Sequence, residues 1–169
     1  MDTFEAIMSR RSIRKFKDTP IPEGALEKAL RAAMAAPSAG TQLCWHFIVV
    51  LDREVLDKIA ADHHNAHMCA TAQAGVLFVG DPSSERFGVF WQQDMGACVQ
   101  NFLLAVHAQG LAACWTGIWP REERTEDFRK MFDVPKELVP LAFIPVGYAD
   151  EVKEPVSRFT ESKVHIEKW

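Results

Sequence analysis

The stretch from about Phe87 to Gln109 sets the strongest limit on how this chain can fold. Val89, Met95, Val99, Phe102, Leu103 and Val106 recur in it at helical spacing, and Gly110 supplies a natural stop. A helix apolar nearly all round has no face to offer water, so it must lie at the centre of a layered structure. The covering layers are legible on either side of it. "WHFIVVL" from Trp45 and "AGVLFVGD" from Ala74 read as buried strands, "AACWTGIW" as a short strand and turn, and "LVPLAFIPVGYA" as a last core strand interrupted by prolines. Asp2 or Thr3 caps a first short helix bearing Phe4, Ile7 and Met8. A second starts near Pro22 or Glu23, carries Leu26, Leu30, Ala33 and Met34 on one side, and stops before Pro37. "REVLDKIAA" reads as a further helix and "REERTEDFRKMF" as a charged surface one. The pattern is α+β or a mixed three-layer sandwich, with helices on a sheet of about four or five strands.

A length of 169 residues supports one well-buried core, so the reading is a single domain over 1–169. The tail from Glu154, "EPVSRFTESKVHIEKW", is polar and extended. Joined to so apolar a central helix, it is expected to pack against a second copy. No apolar run approaches a membrane span and the N-terminus lacks a signal-like core, which predicts a soluble cytoplasmic protein. Cys44, Cys69, Cys98 and Cys114 are widely spaced with no CxxC pair, and read as buried reduced thiols. "DHHNAHMC" groups His63, His64, His67 and Cys69, but no HExxH pattern or placed carboxylate accompanies them. That segment is read as a polar, partly mobile connector and no metal is expected.

"RRSIRKF", Arg10 to Phe16, sets four cations and a hydroxyl at the exit of the first helix, in a chain of formal net charge -4. One basic cluster does not make the broad positive stripe that a nucleic-acid backbone needs. A small phosphate ligand fits it better, and a solvated surface run is the alternative. GxxxxGK[ST], GxGxxG and GxSxG are all absent, and no motif links Ser, Cys or His as nucleophile and base. Chemistry so poorly advertised by side chains points to a cofactor that carries it.

Four elements in order complete the reading: "RRSIRKF", then "AAMAAPSAGTQLCWHFIVV", then "DMGACVQNFLLAVHAQGLAACWTG", and "PVSRF" near the C-terminus. Together they resemble the flavin-dependent nitroreductase family over nearly the full length. The resemblance implies a three-layer sandwich of helices around a mostly antiparallel sheet, in a domain-swapped homodimer whose tails pack on the partner. It also implies FMN as cofactor. Arg10 and Ser12 fall where the family binds the FMN phosphate, with Arg158 closing on it and Arg11 contributing. Arg14 falls beside the pyrimidine edge, where a cation stabilises the reduced anionic ring. Pro37, Ser38 and Ala39 belong to a segment reaching the partner's flavin, a backbone N–H near Thr116 or Gly117 faces the flavin N5, and Asn65 bonds the pyrimidine edge.

The implied function is an FMN-dependent oxidoreductase working by a ping-pong cycle, with NADH or NADPH as hydride donor and a nitroaromatic or quinone as acceptor. No catalytic side chain is assigned. The sequence departs from the family at "TQLCW", where Thr41 replaces an asparagine, Leu43 a glutamine and Cys44 a proline. Thr41 keeps one hydrogen bond but lacks an amide's paired donor and acceptor. That departure motivates the alternative, an FMN storage or sensing protein with little nicotinamide turnover. Trp115, Trp119, Trp91 and Phe90 are candidates to wall a pocket over the ring, with core packing as the other role for each.

Overall fold

A computed structural model describes residues 1–169. The β-branched and aromatic runs form β1 (Trp45–Val50), β2 (Ala74–Gly80) and β5 (Val139–Gly147), which lie side by side and antiparallel. The free edge of β5 is then used twice, by β3 (Ala112–Ala113) and by β4 (Thr116–Gly117). The sheet order is β1-β2-β5-β3, with β4 beside β5.

Pro140 and Pro145 were expected to interrupt the last strand, and β5 runs through both. Its register against β2 shifts between Phe78 and Val79, which face Ala142 and Pro140, so Leu141 is the extra residue. Such a bulge turns a backbone group away from the regular ladder. Here the Leu141 carbonyl accepts from the N–H groups of both Ile118 (3.0 Å) and Trp119 (3.1 Å).

Each sheet face carries its own core, because side chains alternate across a strand. On one face Val76, Phe78, Ile144 and Val146 meet the central helix α4 (Trp91–Ala108) and α2 (Ala25–Met34). On the other, Leu77, Val79 and Phe143 meet Leu56 and Ile59 of α3 (Arg53–Asp62) and Phe128 of α5 (Glu122–Met131). This is the three-layer arrangement expected.

Several local expectations need correction. The buried stripe of α2 is Ala25, Ala29 and Ala33, whereas Leu26 and Leu30 are half-buried and Met34 is exposed. Small side chains bring α2 close to α4, leaving the larger ones at the flanks. The central helix starts only at Trp91, whose N–H donates to the Glu85 carboxylate at 2.8 Å, so Phe87 and Val89 lie outside it and are exposed. In α1 (Thr3–Ser9) Ala6 is the buried residue, and Phe4, Ile7 and Met8 face outward. The chain's own sheet and α2 bury one side of α4, and exposed apolar side chains lie on α1, at Met34, on the 87–90 segment and along the tail. The histidine-rich segment is no loose connector: His64–Ala70 forms a 3-10 helix burying Ala66, Met68 and Cys69. No helix is long and apolar enough to cross a membrane.

Candidate active site

Arg10 caps the C-terminus of α1, and the chain then crosses the sheet edge, with Ser12 bridging Ala113 of β3 in parallel. The Ile13 N–H donates to the Ala113 carbonyl at 3.1 Å and buried Ile13 anchors the crossing. Buried Ile13 and Phe16 hold this segment to the core, and half-buried Arg10 and Arg11 line a cavity of about 290 Å³, with half-buried Ser12 next to Arg11 in the chain. His107, Leu103 and Ile13 help line that cavity.

Charge at this end is uncompensated. Burial holds the Arg10 guanidinium below its ordinary pKa, and the charges of Arg158 and Arg11 lower it further. Arg10 Nε and Arg11 Nη2 are both buried without a hydrogen-bond partner. Orphaned buried guanidinium donors are costly alone and suit an anion with several oxygens. Arg11 otherwise donates through Nε to the Glu154 carbonyl and through Nη1 to the Arg10 carbonyl, each at 2.8 Å. The Arg14 N–H is held by Glu151, whose carboxyl sits below its usual pKa mainly for that reason, while the Arg14 side chain is exposed.

The strand edge leads from this cluster to a second end. From Trp115 to Trp119 burial alternates: Thr116 and Ile118 point into the core, while Trp115, Gly117 and Trp119 face out. Gly117 is therefore a gap between two half-exposed tryptophans, and a Cβ built there would meet nothing within 4 Å. The Thr116 hydroxyl donates to the Phe143 carbonyl, so only its backbone is left for a ligand. The Gly117 carbonyl accepts from Asn65 Nδ2 at 3.4 Å and from Arg124 Nη1 at 3.2 Å. Trp91 is buried and meets the Trp119 ring edge-on at 5.4 Å, while Phe90 is exposed.

Pro37, Ser38, Ala39 and Thr41 do not join these residues. Asp94, buried on α4, accepts the Ala39 N–H on both oxygens at 3.1 Å and Gln42 Nε2 at 2.8 Å. The Ser38 hydroxyl accepts the Leu43 N–H at 3.2 Å. Gly40, Thr41 and Leu43 all have positive φ, at 52°, 59° and 50°. The loop is thus pinned in a strained shape. Asp94, Glu151, Lys153 and Arg124 escaped the sequence reading; a lone Asp in an apolar helix was the one visible signal, since polar residues at core positions need partners.

Two other clusters carry no chemistry of this kind. His63 stacks on Phe128 at 4.6 Å between ring centres, while His64 and His67 are exposed, so the three do not converge. Burial raises all four thiols, Cys44 to about 11 and Cys69 and Cys98 to about 12. None supplies a thiolate near neutral pH.

The fold and the two-ended edge define a class: a sandwich with a cluster of unpaired guanidinium donors and an open glycine flanked by tryptophans, joined by one short run of chain. The Nitroreductase family model matches residues 7–81 and 60–148, and the chain belongs to that family. A protein of Methanothermobacter thermautotrophicus, provisionally named NADH dehydrogenase/NAD(P)H nitroreductase, is 43% identical over all of this chain and 88% of its own length. A crystal structure from Parabacteroides distasonis with the same provisional name has TM-score 0.94 and 36% identity, covering 99% of this chain and 98% of that one. An FMN-dependent nitroreductase of Clostridium difficile superposes with TM-score 0.90 at 28% identity, covering 99% and 100%.

Proposed function

We propose that this chain is an FMN-dependent oxidoreductase of one domain that acts as a homodimer, taking hydride from NADH or NADPH and reducing an electron-poor acceptor such as a quinone or nitroaromatic in a ping-pong cycle. The observation that carries the reading is the two-ended edge: unpaired guanidinium donors at Arg10 and Arg11, and an open Gly117 between Trp115 and Trp119. The FMN-dependent relative supports the choice of cofactor.

The residues present suit FMN. Arg10, Ser12 and Arg158 would hold the phosphate, and Gly117 would let the ring approach the backbone without a side chain between. When bound, FMN supplies the two-electron redox chemistry that no side chain here offers. Arg14, free at its guanidinium, places positive charge near Cys114 at the link between the two ends. Asn65 orients its amide toward the Gly117 carbonyl from the 3-10 helix. Trp115 and Trp119 exclude water from the outer face and offer flat surfaces to planar reactants. Pro37, Ser38, Ala39 and Thr41 would serve the partner's site, with the exposed apolar faces of α1 and the tail as the dimer contact.

Arg10→Ala combined with Arg158→Ala should purify folded by circular dichroism and colourless, without FMN absorbance. A folded double variant with full flavin content refutes the phosphate assignment. For the wild type, anaerobic reduced nicotinamide should bleach the bound flavin. A yellow protein that never bleaches would favour storage or sensing.

A further inference from the structure

Two segments run antiparallel past the candidate site: the one leaving α1 and the one leaving β5. At first backbone joins them. The Lys17 N–H donates to the Tyr148 carbonyl at 2.9 Å, Phe16 bridges Ala149, and the Asp150 N–H donates to the Lys15 carbonyl at 2.9 Å. Beyond Asp150 side chains take over the same ladder. Glu151 accepts the Arg14 N–H, Lys153 Nζ donates to the Ser12 carbonyl at 2.8 Å, and Arg11 Nε donates to the Glu154 carbonyl at 2.8 Å. Glu154 is the last residue of the tail hydrogen-bonded to the body of the protein. Past it, the remaining bonds are internal to the tail, such as Lys163 to Thr160 and Thr160 to Arg158.

We propose that Arg11 is a positioning residue: its guanidinium clamps the Glu154 carbonyl, fixes where the free tail begins, and so holds Arg158 over Arg10. This rests on the reading that Arg10 and Arg158 share a phosphate, and it reassigns Arg11 from ligand to clamp. The planar fork makes the assignment specific. Nε and Nη1 reach two carbonyls at once, Glu154 and Arg10, which a lysine ammonium cannot reproduce from one point. Release of Glu154 leaves the Lys153 side chain on the Ser12 carbonyl as the last hold on the body, so the tether to Arg158 lengthens from four residues to five and gains the flexible lysine stem. The effective concentration of a tethered group falls roughly as the -3/2 power of length, so FMN should bind roughly 1.4-fold more weakly.

The test measures FMN dissociation constants by flavin fluorescence for wild type, Arg11→Ala, Arg11→Lys, Arg158→Ala and each Arg11 variant combined with Arg158→Ala, with trypsin cleavage after Arg158 followed in the FMN-free wild type, Arg11→Ala and Arg11→Lys chains. Both Arg11 variants should weaken binding alike, lose their effect in the Arg158→Ala background, and speed cleavage. Recovery of wild-type affinity by Arg11→Lys, or an undiminished further loss in either double variant, overturns the clamp and makes Arg11 a charge or ligand. If wild type binds no FMN, the functional reading fails instead. The FMN-free digestion then decides the clamp alone: faster cleavage in both Arg11 variants supports it, and unchanged cleavage overturns it.

Discussion

Asp94→Ala would remove the one carboxylate that ties the 38–43 loop to the central helix. Two donors lose their partner, the Ala39 N–H and the Gln42 amide, and Gln42 is 6% exposed. Hydrogen bonds to a charged group contribute about 1.5–3 kcal/mol each, or roughly 3–6 kcal/mol for the two. Two effects offset part of this. Burying the carboxylate itself cost free energy that its removal returns. Thr41 and Leu43, held at positive φ, relax by about 1 kcal/mol or more once the anchor is gone. The net expectation is a loss of about 2–3 kcal/mol, seen as a drop in Tm of roughly 4–12 °C for a chain of this size. Urea and thermal unfolding at equal protomer concentration would measure it, since self-association shifts apparent stability. Asp94→Asn keeps one acceptor and should lose about half as much. A change below about 0.5 kcal/mol for Asp94→Ala, or equal losses for Ala and Asn, would refute the anchoring argument.

Other substitutions test neighbouring steps. Thr41→Asn should stabilise by about 1 kcal/mol in the same unfolding assay, because a β-branched residue is disfavoured at φ 59° and asparagine tolerates it; a destabilised variant would contradict this. Burial holds His63 below the ordinary histidine pKa, so its neutral form is the folded one. Its contribution is fully present above the unfolded value of about 6.5 and is lost as pH falls towards the folded value, because the unfolded chain takes up the proton first. His63→Gln should flatten the fall in stability between pH 7 and 5, and an unchanged slope would assign that fall elsewhere, with His107, also lowered by burial, as the next group to vary.

What could be read from the sequence was what periodicity encodes. The buried strands and the central helix showed as apolar runs of the right length, and the guanidiniums near the N-terminus showed as composition. Burial direction within short elements was lost, as in α1, where Phe4, Ile7 and Met8 match a helical stripe yet only Ala6 is covered. A stripe says which residues share a face, and only neighbours decide whether that face is filled. The Leu141 bulge was hidden because Pro140 suggested a break where the strand adjusts its register instead. The ladder from Glu151 to Glu154 was also hidden, since it joins residues more than 130 positions apart through side chains with no periodic signature. The loop from Pro37 to Leu43 could be placed in sequence but not in space, because its anchor sits on a helix 52 to 55 residues away.

The double use of the β5 edge makes the backbone a caliper. One jaw is fixed where Ser12 bridges Ala113, the other where Gly117 pairs with Ala142, and both sit on the same uninterrupted run of chain. Four residue steps of extended chain separate them, a span of about 13 Å. Exchanging side chains along that run alters what the jaws grip but leaves their opening unchanged. To accept a longer or shorter ligand at both ends, the chain would have to gain or lose a residue between Ala113 and Gly117, and each such step would turn Gly117 over to the buried face.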